Sequence, residues 1–205
     1  MTVAGIALGA GGGRRFGGAK ALIRHRGELL VERCARLLAE GGASPVVVVV
    51  GAQADEVVAA ARFGPDVTVV PNAAWAEGIG SSLGVGLDAL TPLAGVEAAV
   101  VALVDQPQIT AELVERLVVA WRGGARAAVA TFDGAPRNPV VLDRALWPEV
   151  ARGARGDVGA RAFLRAHPDL VVPVAGDGYG SDLDIDTPAD LAALGEAAEE
   201  GAPCN

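Results

Sequence analysis

Three groups of residues in this 205-residue chain are of types that do chemistry, and each of them follows an apolar run or opens a helix. The first is Leu8-Gly9-Ala10-Gly11-Gly12-Gly13-Arg14-Arg15-Phe16-Gly17-Gly18-Ala19-Lys20. Glycines let backbone N–H groups approach a ligand and adopt positive φ, and clustered free N–H groups form an anion-binding nest. Guanidinium groups beside such a nest pair with phosphate bidentately, and an ammonium adds a point charge. The chain has 16 arginines and one lysine, and that lysine is Lys20. The stretch predicts a phosphate-binding loop rather than a flexible turn, with Arg15 and Lys20 carrying its charge.

It is neither of the two common phosphate loops. A P-loop needs glycine before its lysine and a hydroxyl after it, whereas Lys20 lies between Ala19 and Ala21. The dinucleotide fingerprint G-x-G-x-x-G ends on Arg14 when begun at Gly9 and on Phe16 when begun at Gly11. No acid closes the second strand, which ends at Val50-Gly51-Ala52-Gln53.

The second group is acidic. Asp105-Gln106-Pro107 follows the apolar run Ala98 to Val104, and Asp182, Asp184 and Asp186 alternate with Leu183 and Ile185. In an extended chain the three carboxylates share one face and the apolar pair points to the core. Carboxylates so crowded repel unless a cation or a basic group sits between them. Asp105, with Asp184 or Asp186, is therefore a candidate Mg²⁺ site of hard oxygen ligands. The plainer readings are a turn or cap role for Asp105 and a solvated edge strand for Asp182 to Asp186.

The third group is Asn72 with Gly78-Ile79-Gly80-Ser81-Ser82, a Gly/Ser loop entering a helix with Ser81 or Ser82 near its N-cap. The free N–H groups of such a helix end can meet an anion or the polar edge of a base. Gln53, after the second strand, faces the same end of a parallel sheet. His25 and His167 are isolated. Trp75, Trp121 and Trp147 read as packing residues and Tyr179 as a surface residue.

The elements that must position these groups alternate. Val3 to Leu8, Val46 to Val50, Val67 to Val70 and Ala98 to Val104 read as strands, and the five consecutive valines mark a strand buried on both faces. Helical periodicity covers Glu28 to Glu40, Gln53 to Ala61, Ser81 to Leu90 and Thr110 to Arg122. Ala127 to Thr131 and Pro139 to Leu142 read as strands around a loop at Phe132 to Asn138. Helices near Ala145 to Arg152 and Gly159 to His167 follow, then a strand at Leu170 to Val174. Thr187-Pro188 opens a last helix. Alternation of this kind predicts an α/β domain with a sheet parallel in its first half. Residues 1–195 form one domain on this reading, and residues 196–205 an acidic, disordered tail.

Composition narrows the function classes. A net charge of −8 argues against nucleic acid as the partner. No apolar run reaches the roughly 18 residues that span a bilayer, so no membrane partner is expected. The start has no charged segment ahead of its first strand and predicts no signal peptide. Cys34 on an apolar helix face and Cys204 in the tail suit a reducing cytoplasm. Residues 1–36 hold seven bases and two acids, while Asp177 onward holds eight acids and no base. A basic loop and an acidic segment can meet through a divalent cation.

Together these motifs resemble the molybdenum cofactor nucleotidyltransferases, the MobA-like NTP transferases. The family's L-A-A-G-x-S-x-R-[MF]-G-x-x-K resembles Leu8 to Lys20, and N-x-x-x-x-x-G-M-x-x-S resembles Asn72 to Ser82. D-Q-P matches Asp105 to Pro107, G-D-x-G-A-R matches Gly156 to Arg161, and D-I-D-T-P-x-D-L matches Asp184 to Leu191. Asp105-Gln106-Pro107 and Gly17-Gly18-Ala19-Lys20-Ala21-Leu22 are closest to the cytidylyl branch. Arg137-Asn138-Pro139 stands where that branch often has R-G-H-P, which puts the acceptor in question.

The resemblance implies a single-domain, Rossmann-like, three-layer α/β/α sandwich of the nucleotide-diphospho-sugar transferase type. It implies transfer of a nucleotide, CMP from CTP, onto a phosphorylated acceptor such as molybdopterin, with Mg²⁺ as cofactor and a molybdoenzyme receiving the product. Arg15, Lys20 and Asp105 are the implied catalytic residues, with Asp105, Asp184 and Asp186 on the metal. Leu8, Gly9, Ala10, Gly11, Gly12, Gly13, Arg14, Gln53, Asn72, Gly78, Ser81 and Ser82 would bind nucleotide. Arg137, Asn138, Asp157 and Arg161 would face the acceptor. Two other classes stay open: an NAD(P)H-dependent reductase of a quinone-like pigment, which some actinobacterial chains resembling this family are assigned to be, and a non-catalytic cofactor maturation factor.

Overall fold

The computed structural model describes residues 1–200, with side chains through residue 195. β1 (Thr2–Gly9) runs into the glycine-rich loop, and a two-stranded ribbon follows, β2 (Arg24–His25) and β3 (Glu28–Leu29). Next come α1 (Leu30–Glu40), β4 (Val46–Val50), α2 (Ala54–Ala60), β5 (Val67–Pro71), α3 (Ile79–Leu90) and β6 (Val96–Leu103). The second half holds α4 (Ala111–Arg122), β7 (Ala127–Phe132), β8 (Ala135–Asp143), α5 (Trp147–Gly153), α6 (Arg161–Ala166), β9 (Val171–Ala175) and α7 (Pro188–Glu200). The tail's last five residues, including Cys204, lie outside the described residues.

One seven-stranded sheet has the order β5-β4-β1-β6-β8-β7-β9, with only β8 antiparallel to its neighbours. Both faces are covered. Leu38 of α1 and Leu113 and Leu117 of α4 close one side, while Leu83 and Leu87 of α3, Trp147 and Val150 of α5 and Phe163 of α6 close the other. Helices on both faces make the central strands apolar throughout, which is why Val46 to Val50 is buried at every position. A smaller cluster of Ile23, Leu30, Ile185 and Leu194, with Phe16 packed on it, ties α7 to the shoulder of the glycine-rich loop.

The three-layer sandwich expected from the sequence is the one observed, with local corrections. α3 starts at Ile79 with Gly78 as N-cap, so neither Ser81 nor Ser82 caps it. The span Phe132 to Asn138 is not a loop. β7 and β8 are joined by a two-residue turn, Asp133-Gly134, with both residues at positive φ (49° and 74°). Such a turn matches the twist of a hairpin. Pairing then slips after Val129↔Val140 to Ala130↔Arg137, which leaves Asn138 and Pro139 bulged out. Proline has no N–H for a ladder bond, so a bulge is where it fits.

Candidate active site

The predicted residues converge at the carboxyl ends of β1, β4, β5 and β6, where open parallel sheets bind ligands. A cavity of about 500 Å³ opens there, lined by Leu8, Gly9, Ala10, Gly11, Gly12, Gly13, Arg14, Arg15, Lys20, Gly78, Ser82, Asp105, Asp157 and Asp186. Within the loop, Phe16 N and Gly17 N both donate to Gly13 O, folding the chain back on itself. Gly13 holds φ +53°, and a Cβ there would run into the backbone of Gly18.

Lys20 is the charged centre. Its Nζ lies 2.7 Å from Asp105 Oδ2 and 2.7 Å from Asp186 Oδ1, and Arg15 reaches Asp186 Oδ2 at 2.8 Å. The Lys20 side chain is 16% exposed and that of Arg15 73%. Burial pulls the Lys20 ammonium down, but the Asp105 and Asp186 carboxylates outweigh it and its pKa is raised. Asp186 is held below the usual carboxylate range by the hydrogen bond from Lys20, helped by the charges of Lys20 and Arg15.

The acidic segment crosses the site as a strap of irregular backbone rather than as a strand. Ile185 fixes it twice, through a fully buried side chain and through its N–H, which donates to Asp105 O at 2.8 Å. At the strap's end, Asp190 Oδ2 accepts from the N–H groups of Asp186 and Thr187 and from the Thr187 hydroxyl.

Two expectations about the strap need correction. Leu183 does not point inward and is 61% exposed. Nor do the three carboxylates share one site, because Asp182 Oδ2 turns to Arg137 Nε at 2.7 Å. Asp184 is exposed as a residue and lies outside the cavity lining. Burial of its carboxyl, and then the charge of Asp105, raise its pKa.

Gln53, Asn72 and Ser81 stand behind the cavity rather than on its wall. Gln53 Oε1 accepts from Ala19 N at 2.8 Å and so pins the loop just before Lys20. Asn72 is 3% exposed, and its amide donates to the hydroxyls of Ser81 and Ser82 at 2.9 and 3.0 Å, locking the start of α3. Arg137, Asn138, Asp157 and Arg161 line a second cavity of about 680 Å³, which shares Leu8, Ile79, Leu103 and Asp157 with the first.

Sequence reasoning missed Trp75, which it placed among packing residues. The ring lines the first cavity and lies against Gly12 and Gly51. Its position inside the Asn72 to Ser82 motif was the available signal. Gln106 is 5% exposed; its Nε2 donates to Asp182 O, and its Oε1 has no partner among the described residues. No helix among them is long and apolar enough to cross a membrane.

The profile of the MobA-like NTP transferase domain matches residues 5–171 of the chain. A nicotine blue oxidoreductase from Paenarthrobacter nicotinovorans is 41% identical over 198 residues, covering 89% of this chain and 92% of its own. A molybdenum cofactor guanylyltransferase from Rhodobacter capsulatus is 31% identical over 213 residues, covering 99% and 100%. Among solved structures, the homologue of Mycobacterium tuberculosis Rv0371c from Mycobacterium sp. strain JC1 superposes with a TM-score of 0.80. It shares 28% identity over 97% of either chain.

Proposed function

The chain belongs to the MobA-like NTP transferase family, and from that membership we propose that it moves a nucleoside monophosphate from an NTP to a phosphorylated small acceptor, releasing pyrophosphate. The observation that carries this reading is the placement of Lys20 between Asp105 and Asp186 on the wall of the glycine-rich cavity. An ammonium on that wall can meet the charge of a triphosphate, and a divalent cation would then balance the carboxylates it leaves.

In the reaction, an acceptor phosphate oxygen attacks the α-phosphorus and the bond to pyrophosphate breaks. Backbone N–H groups of residues 9–13 cradle the phosphates, and Arg15 and Lys20 stabilise the charge that develops on them. Trp75, Gly12 and the wall of residues 8–11 hold the nucleoside, while Arg137, Asn138, Asp157 and Arg161 face the acceptor.

Asp105 and Asp184 fit a divalent cation by donor type and charge. They are hard oxygen ligands, and burial first and then the Asp105 charge raise the Asp184 carboxyl, the second a repulsion that a cation relieves. Both Asp186 oxygens are committed to Lys20 and Arg15, so Asp184 is the better second ligand. Mg²⁺ bound there would supply neutralisation of the phosphate oxygens.

The nucleotide is proposed as CTP, on Asp105-Gln106-Pro107 and the loop ending at Leu22, and the acceptor as molybdopterin. The product would pass to a molybdoenzyme, all in the cytoplasm. The R. capsulatus relative is named a guanylyltransferase, which makes GTP the competing donor. The test is pyrophosphate release across CTP, GTP, ATP and UTP with Mg²⁺, with and without molybdopterin. Release with CTP and acceptor supports the proposal, release with GTP alone moves the base, and no release with any pair overturns it.

The 41% identity to a protein named nicotine blue oxidoreductase favours one second reading, NAD(P)H-dependent reduction of a quinone-like pigment on the same scaffold. The lack of a dinucleotide fingerprint weighs against it. NADPH oxidation followed at 340 nm with a quinone dye separates the two.

A further inference from the structure

The strap lies antiparallel along the turn that follows β6. Thr110 Oγ1 donates to Tyr179 O at 2.7 Å, and a Cβ on Gly180 would meet Gln108 O. Further on, Gln106 Nε2 donates to Asp182 O at 3.2 Å and Ile185 N donates to Asp105 O at 2.8 Å. The turn itself is anchored, since Ile109 N donates to Gln106 O and Arg33 Nε of α1 donates to Pro107 O at 2.7 Å. Asp184 therefore sits between two held points, Asp182 and Ile185.

The Gln106 side chain serves this seam. The residue is 5% exposed and lines neither cavity, so it touches no ligand there. Its Oε1 is buried and has no partner among the described residues. Turning the amide over would set Oε1 against Asp182 O, acceptor facing acceptor, so the strap fixes its orientation. A buried acceptor left unpaired is destabilising, which points to a constraint other than packing. That constraint lies at Asp184. Burial and then the charge of Asp105 raise the Asp184 carboxyl, and a hydrogen bond from the Gln106 side chain draws it back down. One amide thus holds the backbone at Asp182 and the carboxyl of Asp184.

We propose that Gln106 is a positioning residue for the divalent cation, clipping the strap so that the Asp184 carboxyl is presented beside Asp105. It ligates nothing itself. Groups that orient a metal's carboxylate ligands by hydrogen bonds govern affinity nearly as strongly as the ligands do. Arg137 cannot take over this part, because it bonds the Asp182 carboxylate and neither the Asp182 carbonyl nor Asp184. The proposal rests on the cation site proposed above for Asp105 and Asp184.

The test titrates Mn²⁺, a probe for the cation, into protein without nucleotide and counts the free ion by electron paramagnetic resonance, beside urea denaturation of the same variants. Gln106→Met keeps the length of the side chain and removes both the donor and the unpaired acceptor. It should weaken Mn²⁺ about tenfold or more, as Asp184→Asn should, while its urea midpoint stays at or above that of wild type. Gln106→Asn, an amide too short for the strap, should also weaken Mn²⁺, and it carries the test if the methionine variant does not fold. The double variant Gln106→Met/Asp184→Asn should bind no more weakly than Asp184→Asn, because both changes act on one ligand. Wild-type Mn²⁺ affinity in either Gln106 variant would overturn the proposal, and so would losses that add in the double variant. Absence of Mn²⁺ binding to wild type, or affinity unmoved by Asp184→Asn, would overturn it by removing the site. Pyrophosphate release is measured separately, so failure of this proposal and failure of the transferase reading stay distinguishable.

Discussion

Lys20 Nζ is 2.7 Å from Asp105 Oδ2, an ion pair that joins the glycine-rich loop after β1 to the carboxyl end of β6. The same nitrogen holds Asp186, so one ammonium ties together three segments that are distant in sequence. With its side chain 16% exposed, Lys20 cannot be removed without leaving two carboxylates facing each other.

Lys20→Ala and Asp105→Ala should each lower kcat by about 10²-fold or more in the pyrophosphate assay, with far-ultraviolet circular dichroism unchanged. Wild-type turnover in either folded variant would remove that residue from the catalytic role.

Asp184→Asn and Asp186→Asn should behave differently. If Asp184 shares the cation with Asp105, its variant should need at least about tenfold more Mg²⁺ for half-maximal turnover. Asp186→Asn should instead leave the Mg²⁺ requirement near wild type and lower the KM for the nucleotide, by freeing Lys20 and Arg15 from their partner. The same Mg²⁺ requirement in Asp184→Asn and wild type would take Asp184 out of the metal set.

Gly78 caps α3 at φ 108° and ψ 179°, a conformation open in practice to glycine alone. A Cβ there would also meet the backbone of Gly156 and the Asp157 carboxylate. Gly78→Ala should therefore destabilise the protein by about 1–3 kcal/mol in urea denaturation. A loss within about 0.5 kcal/mol would mean that the loop relaxes freely.

The fold was legible because its signals were strong and local: five valines in a row, a helical period in α1 and α4, and Thr187-Pro188 before α7. The glycine-rich loop was legible as a candidate site because its glycines cluster after β1 beside the chain's single lysine. The hairpin at Asp133-Gly134 carried a known turn signal but was hidden by Pro136 and Pro139, which read as loop residues. The strap could not be read from its alternation. Its direction is set by Ile185 N–H bonding to Asp105 O, a contact across 80 positions with no local trace. Period two placed Leu183 with Ile185, yet only Ile185 has a pocket to enter.

Cys34 gives a test of the fold that is independent of activity. Burial first, and then the Asp105 charge, push its thiol up to about 12, so it stays protonated in the native state. The thiol should react with a disulfide reagent at pH 8 only as fast as the protein unfolds. In the unfolded chain it ionises near its ordinary value of about 8.5. Between there and about 12 the native state holds a proton that the unfolded state has lost, so stability should fall as pH rises. Rapid labelling of Cys34 in native protein carrying Cys204→Ser would contradict the packing of α1.

The most direct test of the account is transfer of label from α-³²P-labelled CTP, with Mg²⁺ and molybdopterin, into a product resolved by chromatography. The account predicts labelled dinucleotide product with wild-type protein and at least about 10²-fold less with Lys20→Ala. Label that stays in CTP with the wild type, and with GTP, ATP and UTP in its place, while NADPH is oxidised in the presence of a quinone dye, would contradict it.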